Sequence, residues 1–241
     1  MYLHEFTIQL SPPGGDPPIS PNLSLMKAYF TLLLLALVVV ACGPSGTEVE
    51  SSDAVAAENA AAATASFAVD TAASAVQWEG SKLVGGSHEG IIPIQSGSLN
   101  ANGNELVGGT FVLDVTRLEN RDLDGEGKGK LEGHLKSADF FDVEQHPTAT
   151  FEITKVTPVT GQADYNHEIT GNLTLKGTSR SITIPAMVTM ENNQITANTP
   201  DFVIDRTEWG MQYGSGSIAG IAQDNIINDE VGLNLSLVAR Q

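Results

Sequence analysis

The sequence predicts an all-β domain: an antiparallel β-barrel with a short helix or lid between two of its strands. Three observations predict it. Apolar and polar residues alternate with period two in successive runs between Phe67 and Gln241, which gives each strand an inside and an outside. Gly, Asn and Asp punctuate the runs, and pairs such as Asn102-Gly103 suit tight antiparallel hairpins. One segment, residues 131–141, lacks the alternation, and its Leu131 and Leu135 lie one helical turn apart.

The chain begins with a segment that fits no domain. Residues 1–25 are rich in Pro and Gly and read as an upstream extension foreign to the protein, with the true start at Met26. Lys27 then precedes an uncharged apolar run from Leu32 to Ala41. That run is shorter than the ~20 residues a membrane span needs, but it suits the apolar region of an export signal. It ends in Val39-Val40-Ala41-Cys42-Gly43, which resembles the bacterial lipobox. Residues 26–41 are therefore expected to be a lipoprotein signal peptide, and Cys42, the only cysteine, the acylated first residue of the mature chain. Stable anchoring takes more than one acyl chain. The expected location is the bacterial cell envelope, in the periplasm, lipid-anchored to a membrane. Residues 42–66 are Ala-, Ser- and Glu-rich without large apolar residues beyond valine. They read as a tether with transient helix, dispensable for folding of the domain at 67–241.

Within that domain each alternating run offers one apolar face. Trp78 lies in the first. Phe111 and Leu113 share a face, as do Phe151 and Ile153, then Leu173 and Leu175 in a run that ends at Gly177. Ile182 and Ile184 follow the turn, Phe202 and Ile204 come next, and Leu233 and Leu235 belong to the closing run. The Gly- and charge-rich residues 122–130 read as an exposed loop leading into the helix or lid. A closed sheet of about eight strands can fill its interior with side chains or hold one ligand. Periodicity does not separate the two.

Charge and motif spacing exclude several functions. With 12 Lys and Arg against 29 Asp and Glu, the net charge is −17, and no basic cluster could displace counterions from nucleic acid. His88, His134, His146 and His167 are dispersed without metal-ligand spacing, so no metal is expected. Gly214-Ser215-Gly216-Ser217-Ile218-Ala219 matches a dinucleotide fingerprint only on paper, since no βαβ unit surrounds it. Gly125-Glu126-Gly127-Lys128-Gly129-Lys130 has no Ser or Thr after either lysine and makes no phosphate loop. With no G-x-S-x-G elbow either, no catalytic residue and no cofactor is expected.

Several motifs in order are similar to those of the YceI-like family of polyisoprenoid-binding periplasmic proteins. They are Val76-Gln77-Trp78-Glu79-Gly80, Gly108-Gly109-Thr110-Phe111-Val112-Leu113-Asp114, and His134-Leu135-Lys136-Ser137-Ala138-Asp139-Phe140-Phe141-Asp142 with His146-Pro147-Thr148-Ala149-Thr150-Phe151. Gly171-Asn172-Leu173-Thr174-Leu175-Lys176-Gly177 and Asp205-Arg206-Thr207-Glu208-Trp209-Gly210 complete the set. The resemblance spans roughly residues 67–241. It implies a lipocalin-like barrel whose apolar faces surround an isoprenoid chain, as lipid or quinone, and no established catalysis. On this reading the residues named above, from Trp78 to Leu235, line the cavity. His134, Asp139 and Arg206 are candidates for polar groups at its mouth. The plainer alternative pairs Arg206 with an acid at the barrel end and makes Asp139 a turn cap. Expected partners are a long-chain isoprenoid, a membrane reached through the acyl anchor, and a second copy in a homodimer. A filled structural or stress-related barrel, and an enzyme acting on an envelope lipid, remain the competing readings.

Overall fold

Alternation becomes strand pairing almost wherever it occurs. The computed structural model describes residues 43–57 and 62–241. The expected extension, signal peptide and acylated Cys42 lie outside the described residues. Thirteen strands form one sheet: β1 (Thr47–Glu48), β2 (Ser51–Asp53), β3 (Ala65–Val69), β4 (Ala75–Ser81), β5 (Ser87–Asn102), β6 (Glu105–Asp114), β7 (Glu119–Asn120), β8 (Thr148–Pro158), β9 (His167–Leu175), β10 (Thr178–Glu191), β11 (Gln194–Asn198), β12 (Phe202–Asp205) and β13 (Glu230–Arg240). Eight of them, β4, β5, β6, β8, β9, β10, β11 and β13, form a closed ring. β4 pairs with both β5 and β13, and β3 takes the same place at the other end of the barrel. Among the described residues the fold is an antiparallel β-barrel with one α-helix between two strands, as expected.

Register places the apolar faces inward. Phe111 lies opposite Phe151, and Phe151 opposite Leu173; the two phenyl rings are 5.4 Å apart at 33°. Such pairs add cross-strand attraction to simple burial. Gly171 makes room for this packing. A β-carbon there would come within 2.4 Å of the Phe151 ring and 2.7 Å of the Glu152 carbonyl oxygen.

One end of the barrel is solid. Leu99, Ala101, Ile195, Leu237 and Ala239 are exposed by 2% or less. Small and large residues alternate there, so the interior fills with side chains.

The expected tether is part of the wall. On the side of β10 away from β9, residues 187–191 pair with β11, and Arg180, Ser181 and Ile182 pair with β2. β1 runs parallel to β12, with Thr47 opposite Phe202. One extended segment thus fills the seam between the start of β10 and β12. Val49 enters the core at 7% exposure, its N–H donating to the Val203 carbonyl at 2.8 Å. Gly46 sits so close to Asp201 that a β-carbon would lie 2.9 Å from its carbonyl. Composition hid this segment because short strands held through the backbone need little apolar area: the pairing of β1 with β12 and of β2 with β10, together with one buried valine, holds it.

The helix also begins earlier than expected. α1 spans Gly125–Lys136, taking in most of the segment read as a loop, while residues 138–141 form a turn. Its glycines disfavour helix, but charge pairs offset them. Lys130 lies 2.6 Å from Glu126, and Lys128 lies 3.0 Å from Glu119. The backbone N–H of the fully buried Asn120 donates to the Glu132 carboxylate at 2.9 Å, fastening the helix to β7.

Candidate functional site: an apolar cavity under the helix

The other end of the barrel is hollow. A cavity of about 770 Å³ occupies it, within the ~300–1,000 Å³ usual for small-molecule sites. Its walls come from alternate positions of the ring strands. Trp78, Phe111, Leu113, Phe151, Leu173, Leu175, Ile182, Ile184, Phe202, Ile204, Leu233 and Leu235 all face it. Ile153 does not. Although it shares the inward face of β8 with Phe151, it lies two residues nearer the solid end, opposite Gly109 and Gly171, and is packed there. Period two identifies the inward side of a strand but not where along the barrel the filling stops.

The roof was only partly legible in the sequence. Leu131 and Leu135 of α1 face the cavity together with Phe140, Phe141 and Met211. The i, i+4 leucines signal this, whereas Met211 sits in a loop with no period to mark it. Exposed Val84 and Tyr213 also line the cavity, so it reaches the surface between the β4–β5 turn, α1 and the long loop before β13.

The mouth holds polar groups in matched pairs. His134 Nε2 lies 3.0 Å from Asp139 Oδ2, and the imidazole meets Phe140 and Tyr213 edge-on at 5.1 and 4.7 Å. His134 and Arg206 line the cavity; Asp139 stands behind His134 rather than on the wall. His88, unassigned in the sequence, also lines the mouth, with Nδ1 2.8 Å from Asp122. Asp122 accepts further hydrogen bonds from the Glu89 N–H and from Asn120. Burial alone would raise its pKa, but these bonds, with His88 first, outweigh it and bring it down to about 2.

Arg206 is spent on the protein itself. Its side chain is 3% exposed; Nε donates to the Asn228 carbonyl, Nη1 to Met211, and Nη2 to Ile227 and to the Asp229 carboxylate at 3.2 Å. Burial lowers its pKa, while Asp229 and Asp205 pull it back up. The guanidinium thus pins the loop before β13, as the plainer alternative had it. Asp229 in turn accepts from Ser215, which is wholly buried within the Gly-Ser segment that mimics a dinucleotide fingerprint. Trp78 is the opposite case. Its indole N–H, in the cavity wall region, is the only buried side-chain polar atom without a partner among the described residues. Among those residues no three His, Asp or Glu side chains converge as metal ligands, and no helix is long and apolar enough to cross a membrane.

A family model described as a YceI-like domain matches residues 67–239. The chain belongs to the YceI-like family. A UPF0312 protein of Pseudomonas paraeruginosa is 47% identical over 60 residues, and one of Pseudomonas aeruginosa 51% identical over 53 residues. These matches cover 25% and 22% of this chain and only 29% and 26% of those relatives. Among solved structures, Burkholderia cenocepacia BcnA aligns with a TM-score of 0.55 at 24% identity, covering 71% of this chain and 99% of that one. A polyisoprenoid binding domain from Saccharophagus degradans aligns with a TM-score of 0.52 at 15% identity, covering 72% and 97%. These likenesses establish the fold.

Proposed function

We propose that the protein binds a long apolar lipid of isoprenoid type in the hollow half of the barrel, and stores or carries it in the bacterial cell envelope. The observation that bears the weight is the division of one barrel into a packed end and an open, apolar end of about 770 Å³. A filled structural barrel would have no reason to leave that space. Burying a prenyl chain there gains ~25 cal/mol per Å² of apolar surface removed from water, with no charged residue required. The polyisoprenoid-binding description of the Saccharophagus neighbour points the same way. The mouth favours an uncharged head such as a quinone over a phosphate. Each Arg206 nitrogen already has a protein acceptor, and His88 and His134 each face a carboxylate. Acylation of Cys42 would hold the protein in the periplasm against a membrane.

Protein recovered from the cells that make it should release a prenyl lipid on solvent extraction, seen by native mass spectrometry. Added polyprenyl quinone should raise the melting temperature of emptied protein. Repeated recovery without prenyl lipid, together with an unmoved melting temperature, would refute the reading.

A further inference from the structure

The large apolar side chains that remain exposed are not scattered. Among the described residues they are Val55, Leu83, Val84, Tyr213 and Ile218, each more than 40% exposed. Four of these five belong to two segments at the cavity mouth. Leu83 and Val84 are in the β4–β5 turn; Tyr213 and Ile218 are in the loop before β13. Backbone bonds hold the two together, with the Leu83 N–H donating to Ile226 and Lys82 bridged to Ile227. Val84 and Tyr213 also line the cavity. Its apolar wall therefore continues outward onto an apolar rim.

The start of the described chain lies at the same end. Pro44 packs beside Gly232, where a β-carbon would come 2.9 Å from the proline Cβ and 3.5 Å from that of Glu79. Ser81, two residues further along β4, already lines the mouth. The described chain thus begins a few residues from the rim.

The geometry points to the rim as a membrane-docking surface: Leu83, Val84, Tyr213 and Ile218 insert into the apolar boundary of a bilayer, so that a lipid passes between bilayer and cavity without crossing water. The proposal rests on the reading that the cavity holds a lipid. Its partner is a bilayer and not a charged surface, because a chain of net charge −17 is repelled by anionic headgroups. Association driven by apolar insertion is insensitive to salt.

The test uses the unit Cys42–Gln241, which is compact by itself, with Cys42→Ser to remove acylation. It should float with phosphatidylcholine vesicles in both low and high salt. Leu83→Ser with Ile218→Ser, neither of which lines the cavity, should weaken flotation about tenfold or more and change the melting temperature little, since about half of each side chain is already in water. Equal flotation of the two forms overturns docking. So does a rim variant that floats normally but turns a dimer into a monomer in sedimentation, which would make the rim an interface between copies. Polyprenyl quinone added from ethanol, without vesicles, separates the two readings. Uptake by both forms, with loss of vesicle flotation in the rim variant alone, supports docking. Failure of uptake in both forms counts against the lipid-binding function, whereas flotation is scored independently of it.

Discussion

The indole N–H of Trp209 donates to the Leu173 carbonyl oxygen at 2.9 Å, at a site only 1% exposed. This bond ties the turn after β12 to β9, across the wall closed by the N-terminal segment. Trp78, buried at 8% exposure, has no such acceptor. Replacing either by Phe removes similar volume but different hydrogen bonding. Trp209→Phe should lose ~1–3 kcal/mol more than Trp78→Phe in urea unfolding, since the latter removes a donor that was already unpaired. Equal losses would show that packing alone sets both sites.

Acid should loosen the mouth through Asp122. Its pKa is about 2 when folded against an ordinary 3.8, so its carboxylate stabilises the fold fully only above the ordinary value. That contribution disappears as pH falls toward the folded value. The advantage of the wild-type chain over Asp122→Asn in melting temperature should therefore be greatest above pH 3.8 and shrink to nothing near pH 2. A difference independent of pH would mean that the ionised carboxylate gains nothing from its His88, Glu89 and Asn120 partners.

Leu235 and Ile153 point into the same barrel, one at the cavity and one in its packed end. Leu235→Trp should find room, narrow the cavity and lower prenyl-lipid occupancy with little change in unfolding midpoint. Ile153→Trp should cost ~1–3 kcal/mol by overpacking. Extraction of bound lipid and urea titration of both variants read the two effects separately, and a reversed order would put the cavity floor in the wrong place.

The sequence leads one to expect that a chain starting at Ala65 folds unaided; the structure predicts a damaged barrel. Without β1 and β2, edges of β10 and β12 lose their partners, and open edges invite pairing between molecules. Such a chain should unfold at lower urea, with ~1.5–3 kcal/mol lost from Val49 alone, and should self-associate in size-exclusion chromatography. A monomer with an unchanged midpoint would mean that the segment rests on the barrel without supporting it.

What the sequence made legible follows from how each signal arises. Alternation is a property of single strands, so Phe111, Phe151 and Leu233 could be assigned inward from sequence alone. Cavity depth depends on many strands at once, which is why Ile153 was misplaced. The first half of helix α1, residues 125–130, was concealed by its glycines, because its supports are ion pairs and the Asn120 bond to Glu132, none of them periodic. The same holds for Arg206. Its type and position were visible in the sequence, but its acceptors are backbone carbonyls 5 to 22 residues away.

The seam strand also dictates an order of assembly. Ser51 donates to the Glu208 carboxylate across 157 residues, so the seam segment can be fully seated only after β12 and the turn that follows it exist. Contacts this remote in sequence form slowly. A growing chain must therefore keep residues 47–53 unpaired until β10 and β12 have been made, a period in which it is vulnerable to misassembly and has not yet become a closed container.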